Sequence, residues 1–251
     1  MANEMRYFIG NWKMFGVPKS INILKKINHF RSRDKNRNNY RIIITPPYTL
    51  LESFAKHFKD KKIMIGSQNC YLKDKFSSNT AAISSFMLKS VGAKYVIIGH
   101  SDNRAEGDTD LMLKDKVKLA LKNNLRVVFC IGENRYQKKN YLTLNTLKKQ
   151  LENVLEKKFN FNNIIVAYEP IWSIGSGKIP NQKDLFETTN HIKNILKKIF
   201  KNKSSSVLYG GSVDEKNISM LKQIKEIDGF LIGGASKSSK KFIDIIKNYY
   251  R

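Results

Sequence analysis

Arg126-Val127-Val128-Phe129-Cys130-Ile131 is followed by apolar residues at Leu144, Leu147, Leu151, Val154 and Leu155, and then by Ile164-Ile165-Val166-Ala167-Tyr168. The first and last runs are continuously apolar and rich in β-branched residues. That is the pattern of strands covered on both faces in a parallel sheet. The segment between them repeats at helical spacing and carries lysines on its other side. Strand, helix, strand in this order is the building unit of a parallel α/β sheet.

The same alternation runs outward in both directions. Short runs rich in Val and Ile recur at Tyr7–Gly10, Arg41–Thr45, Ile63–Gly66 and Tyr95–Gly99 before this unit, and at Val207–Tyr209 and Gly229–Ile232 after it. Helical spacing recurs at Ile21, Leu24 and Ile27, and at Leu111, Leu113, Val117, Ala120 and Leu121. It returns at Leu185, Ile192, Ile195, Leu196 and Ile199, and at Phe242, Ile243, Ile245 and Ile246. Eight strands alternating with helices over 251 residues is the arithmetic of a single (β/α)8 barrel of TIM-barrel type. An open doubly wound sheet would want a Gly-rich turn after an early strand, and none stands near the first two. No linker or composition shift divides the chain, so residues 1–251 are expected to form one domain.

Composition narrows the class. Hydrophobic residues make up 41% of the chain, too many for global disorder. Two cysteines, Cys70 and Cys130, exclude a disulfide scaffold and lack metal-site spacing. No apolar run reaches the length of a membrane span, and Met1 to Arg6 lack the basic start and apolar stretch of a secretory signal. A cytoplasmic protein without membrane partners is expected. The formal charge of +25 attracts polyanions and raises encounter rates with anionic small molecules. The cations are mostly lysines scattered along the chain, with a local basic cluster only at Arg31–Arg37. Specific phosphate or base readout leans on Arg forks, so nucleic acid is expected to bind only non-specifically.

In a barrel the chemistry sits where strands end, which directs attention to five turns. Strand one ends in Asn11-Trp12-Lys13, whose lysine can hold a phosphate or a developing enolate charge, although a lone Lys also reads as plain surface. Strand four runs into Gly99-His100-Ser101. A His at a helix start feels positive backbone dipoles, which favour the neutral ring. Strand six gives Tyr168-Glu169-Pro170. A partly desolvated carboxylate there suits a general base. The following Ile171-Trp172-Ser173-Ile174-Gly175-Ser176-Gly177-Lys178 combines greasy residues with two glycines, the composition of a mobile lid. Strands seven and eight end in Tyr209-Gly210-Gly211-Ser212 and Ile232-Gly233-Gly234-Ala235-Ser236. Paired glycines let backbone amides approach an anion, and barrels commonly build a phosphate site at these two strands.

Taken in order along nearly the whole chain, these strings resemble the triosephosphate isomerase family. Gly66-Ser67-Gln68-Asn69, Cys130-Ile131-Gly132-Glu133 and Tyr168-Glu169-Pro170-Ile171-Trp172 add to the match. The resemblance implies interconversion of dihydroxyacetone phosphate and glyceraldehyde 3-phosphate in glycolysis and gluconeogenesis, with neither metal nor organic cofactor. It implies Glu169 as the base, a neutral His100 as hydrogen-bond donor to the substrate oxygens, Lys13 as stabiliser of negative charge, and Asn11 as its orienting neighbour. Gly175, Ser212, Gly233 and Gly234 would grip the phosphate through backbone amides, and Tyr209 would help latch the lid.

Three departures from the family pattern stand out. The usual Ser-Glu-Arg-Arg after the His is Ser101-Asp102-Asn103-Arg104 here, so the supporting acid Asp102 is one methylene shorter and is expected to reach Lys13 less well. The lid ends in Lys178-Ile179-Pro180, and Pro180 has no N–H to offer Tyr209. The lid is therefore expected to close less persistently, and Pro180→Ala to reduce loss of phosphate from the intermediate. The loop after strand three keeps Thr80 but replaces Gly and Glu by Ala81 and Ala82. A homodimer is still expected, because the family site leans on the partner's Thr. Two other readings compete: an isomerase of a four-carbon sugar phosphate, and a basic anion- or nucleic-acid-binding protein on an inherited barrel. Intact Lys13, His100 and Glu169 weigh against the latter.

Overall fold

Side-chain alternation along the strands sorts the apolar residues into two layers. In the computed structural model, which describes residues 5–59 and 62–251, Val128 and Cys130 of strand β5 (Arg126–Ile131) face one cluster. Val127, Phe129 and Ile131 face another. The same division holds on β1 (Arg6–Asn11), β2 (Tyr40–Thr45), β3 (Ile63–Ser67) and β4 (Tyr95–Ile98). It continues on β6 (Ile164–Tyr168), β7 (Ser206–Tyr209) and β8 (Gly229–Ile232). Ile9, Ile43, Ile97, Val128, Ala167, Leu208 and Leu231 belong to the inner cluster, where no helix contributes. Their strand neighbours meet the helices outside. A strand flanked by apolar layers on both sides needs the continuous hydrophobic runs read in the sequence.

All eight strands are parallel, each pairs with its sequence neighbours, and β1 closes on β8 from Tyr7↔Gly229 to Gly10↔Ile232. This is the expected (β/α)8 barrel. Every predicted strand lies within one residue of its observed bounds. The run expected to end at Gly99 stops at Ile98, because Gly99 takes a left-handed φ of 77° and turns the chain away from the sheet.

The five helical segments read from spacing are α1 (Ile21–Arg33), α5 (Asp110–Lys122), α7 (Thr143–Val154), α8 (Gln182–Ile199) and α10 (Ser239–Tyr250). In α7, Leu147, Leu151 and Val154 are fully buried, each contributing roughly 1.5–3 kcal/mol of burial free energy. The sequence reading passed over α2 (Tyr48–His57), which buries Leu50, Leu51 and Phe54 against the sheet. It also passed over the short helices α3 (Ser85–Ser90), α4 (Ser101–Ala105), α6 (Arg135–Lys139) and α9 (Ile218–Leu221). Side chains of Ser84, Thr109, Asn134, Asn181 and Ser238 accept hydrogen bonds from the first turns that follow them, which stops the chain from continuing as loop. Among the described residues, no helix is long and apolar enough to cross a membrane.

Candidate active site

The alternation that fills the barrel also sets what stands at its mouth. Side chains two apart share a face. Beyond Ile9 comes Asn11, beyond Ala167 comes Glu169, and beyond Leu208 and Leu231 come Gly210 and Gly233. All of these line one cavity of about 450 Å³ at the C-terminal end of the barrel, together with Lys13 and His100.

Glu169 and His100 meet there. The Glu169 Oε1 lies 3.3 Å from His100 Nε2, and both side chains are buried. The Glu169 backbone is pinned by its N–H, which donates to the Ile131 carbonyl at 2.7 Å, and the following proline stiffens the exit. His100 caps helix α4, and its Nδ1 accepts the Asp102 N–H at 3.1 Å. An accepting Nδ1 carries no proton, so the ring hydrogen sits on Nε2, the nitrogen that faces the cavity. Burial holds the Glu169 carboxyl above the usual carboxylate range, with His100, the Cys130 thiol and Lys13 pulling the other way. A carboxylate that binds its proton unusually tightly is a stronger base once ionised.

Lys13 is held from three sides. Its backbone sits at a left-handed φ of 53°, its N–H donates to Asn11 Oδ1 at 3.0 Å, and its ammonium lies 3.1 Å from Asp102 Oδ2. The shorter acid meets Lys13 at that distance while more than half of its side chain stays exposed. Short helix α4 brings Asp102 close enough. The Gln68 side-chain amide ties the same turn down, donating to the carbonyls of Lys13 at 2.9 Å and Thr45 at 2.8 Å.

The lid folds over the opposite rim. Ile174, Gly175 and Gly177 face the cavity, with Ser212, Gly233 and Gly234 across from them. The Gly177 N–H donates to Ser212 Oγ at 3.2 Å, and Ser212 Oγ donates to the Ser173 carbonyl at 2.6 Å. Gly233 leads into a 3-10 turn, Gly234–Lys237, whose first N–H groups have no partner within the turn. Pro180 offers Tyr209 no N–H, and Tyr209 meets the lid elsewhere. Its hydroxyl lies 3.1 Å from Ser173 Oγ.

The sequence reading quoted Gln68, Glu133 and Ser173 within motifs but gave them no role. Glu133 is fully buried, and its Oε1 accepts from Trp172 Nε1 at 2.8 Å and Tyr168 Oη at 3.2 Å. Its backbone carbonyl accepts the Ile171 N–H, so Glu133 anchors the first hinge of the lid. Burial raises its carboxyl as well. Arg104 holds the turn carrying His100, donating to the carbonyls of Gly99 at 2.9 Å and Cys130 at 3.2 Å and pairing with Asp110 at 2.9 Å. For Glu133 the available signal was its place directly after Gly132 at the end of strand β5. Among the described residues, no three His, Cys, Asp or Glu side chains converge as a metal site requires.

A parallel barrel with a buried carboxylate, a histidine and a lysine beneath a lid and two diglycine turns is a barrel enzyme built for acid–base chemistry on a small anionic substrate. Comparison with known proteins narrows this. The family model described as triosephosphate isomerase matches residues 6–249. The triosephosphate isomerase of Saccharomyces cerevisiae is 36% identical over 248 residues, covering 96% of this chain and 98% of that protein. That of Cytophaga hutchinsonii is 37% identical over 247 residues, covering 96% and 97%. A crystal structure of triosephosphate isomerase from Bartonella henselae superposes with a TM-score of 0.89 at 33% identity, covering 98% of this chain and 99% of that one. The chain belongs to the triosephosphate isomerase family.

Proposed function

We propose that this site interconverts dihydroxyacetone phosphate and glyceraldehyde 3-phosphate with the following division of labour. The Glu169 carboxylate takes a proton from the carbon beside the carbonyl, and the C–H electron pair moves toward the carbonyl oxygen. His100 donates its Nε2 hydrogen to that oxygen as charge develops, and the Lys13 ammonium offsets the charge of the enediolate and phosphate. The hydroxyl proton of the first oxygen then passes to the former carbonyl oxygen by way of His100 Nε2, and Glu169 returns its proton to the neighbouring carbon as the new C=O forms, which completes the isomerisation without net gain or loss of protons. Asn11 orients the Lys13 side through the Lys13 N–H. The amides of Gly175, Ser212, Gly233 and Gly234 receive the phosphate, and Asp102 and Tyr209 support Lys13 and the lid.

One observation supports this assignment above the rest: Glu169 Oε1 and His100 Nε2 stand 3.3 Å apart inside a lidded cavity. Groups so close line one cavity wall, from which the carboxylate can reach the carbons and the imidazole the oxygens of a single small substrate lying over both. A coupled assay with dihydroxyacetone phosphate on the wild type and Glu169→Ala tests it. Removing the base is expected to cost at least about a hundredfold in kcat, and a loss under tenfold would overturn the assignment.

The same reading extends to assembly and location. Met14 and Phe76 are almost wholly exposed, and Thr80 stands exposed on the same loop as Phe76. A second copy of this chain covering them, with a cytoplasmic homodimer as the working form, fits that surface. Sedimentation at twice the chain mass is expected, and a fully active monomer would refute it. The charge of +25 is spread over a solvated lysine-rich surface, and nucleic acid is expected to bind only non-specifically at low salt.

A further inference from the structure

Ser173 sits at the first turn of the lid, fully buried, and its hydroxyl is a junction. It donates to the Lys178 carbonyl at 2.5 Å, on the far limb of the lid. It lies 3.1 Å from the hydroxyl of Tyr209, which belongs to the barrel and is itself fully buried. The Ser212 N–H approaches the same oxygen at 3.5 Å, and the Ser173 carbonyl accepts from Ser212 Oγ and Ser176 Oγ. One side chain thus touches the first limb, the second limb and the strand-seven turn. Pro180 cannot donate from the second limb, and the side chain of Ser173 supplies the hydroxyl that Tyr209 meets.

The neighbouring glycine is consistent with a junction that tolerates no extra atom. A Cβ on Gly211 would collide with the Tyr209 hydroxyl and stand 2.7 Å from Ser173 Oγ. We propose that Ser173 is the positioning residue that holds the lid shut, its hydroxyl bridging the two lid limbs to Tyr209. Ser173 touches no substrate and acts through the lid. Its role rests on the isomerase reading above.

A shut lid matters because the enediolate can break its C–O bond to phosphate. The electron pair that formed the enediolate expels inorganic phosphate, and the remaining enol becomes methylglyoxal. Excluding water and holding the C–O bond to phosphate near the plane of the enediolate, out of overlap with its π electrons, suppresses that route. The fraction of turnovers ending in methylglyoxal and free phosphate therefore reports closure.

The test compares that fraction in wild type, Ser173→Ala, Tyr209→Phe and the double variant. Removing one buried hydrogen bond changes a closed-to-open ratio by roughly fivefold. Ser173→Ala is therefore expected to raise the elimination fraction about fivefold or more. Tyr209→Phe is expected to move it the same way, and the double variant to be less than the product of the two, since both cut one junction. An unchanged fraction in Ser173→Ala, or independent effects that multiply, would overturn the latch. A lower melting temperature with no change in elimination would show a merely structural serine and would also overturn it. Should Ser173→Ala fail to fold, Ser173→Cys decides, since it nearly keeps the volume but hydrogen-bonds weakly, and an unchanged elimination fraction there overturns the latch. A wild type that does not isomerise would overturn the isomerase reading itself, whereas an active wild type with an insensitive Ser173→Ala overturns only the latch.

Discussion

Gly210→Ala tests whether the position of Glu169, and not merely its presence, sets the rate. The added Cβ would stand 2.8 Å from Glu169 Cγ and 3.5 Å from Glu169 Oε1. Carbon atoms rest at about 3.5–4.0 Å, so one of the two groups must retreat by ~0.7–1.2 Å. The backbone of residue 210 is tied by its N–H to the Tyr168 carbonyl at 2.7 Å, and Leu231 Cβ closes the third side at 3.5 Å. The side chain of Glu169 is the softer partner and moves. A misplacement of ~1 Å at a reacting group costs about a hundredfold in rate. Gly210→Ala is expected to lower kcat by about that factor in the coupled isomerase assay, with a folded circular-dichroism spectrum and phosphate inhibition within about twofold of wild type. A kcat within about threefold of wild type would refute the geometry. An effect confined to KM would show that the methyl obstructs substrate instead of displacing the base.

Acid should silence the enzyme early: burial raises the Glu169 carboxyl, so the falling limb of kcat/KM is expected above the ordinary carboxylate value of about 4.3, and a limb at or below it would contradict the buried base. The same raised groups work against stability at high pH. Folded Glu169 and Glu133 hold protons more tightly than the unfolded chain does, so their contribution is full below the unfolded value and is lost as pH rises through the folded one. Melting curves across that window should flatten in Glu169→Gln, and an unchanged slope would remove Glu169 as a source. Asp102→Ala removes a half-exposed partner of Lys13, so less than about 1 kcal/mol of stability is expected to go while KM for dihydroxyacetone phosphate rises several-fold; an unchanged KM would show that Lys13 needs no partner. Pro180→Ala adds an N–H to a lid whose Tyr209 is already engaged, and the elimination fraction is expected to stay within about twofold, against the expectation from sequence.

The strands were legible because a strand buried on both faces leaves a continuous apolar run, and such runs mark all eight here. Helices were legible only where they were long. Thirteen residues of α5 repeat their apolar face, whereas α4 has five residues and buries none of them, so no period exists to find. Helix α2 begins directly after Pro46-Pro47, whose fixed φ sets up its first turn, a start signal the sequence carries beside Leu50, Leu51 and Phe54. Glu169, His100 and Lys13 were legible because each interrupts the end of a strand with a chemically active side chain. Glu133 was not. Its partners Tyr168 and Trp172 lie 35 and 39 positions away, and only barrel closure brings them together.

The departures near the site illustrate a limit of reading residues one at a time. Asp102 is shorter than the acid the family pattern leads one to expect, yet it meets Lys13 at 3.1 Å, because backbone placement, not side-chain length, decides reach across a strand-end turn. Pro180 removes a donor, yet Tyr209 keeps a hydrogen-bond partner. Tyr209 is fully buried, where leaving its hydroxyl unpaired would cost roughly 1–3 kcal/mol, whereas the partly exposed Lys13 stands to lose less. That cost is comparable to a large single-mutation effect, so a chain that changes one partner is under pressure to supply another. The replacement need not be near in sequence. It need only project into the same few ångströms, as Ser173 does into the space that glycine at 211 leaves open. Substitutions in this barrel mouth are therefore to be judged by whether the orphaned atom finds a new partner, and Ser173→Ala is the variant that removes the hydroxyl Tyr209 meets.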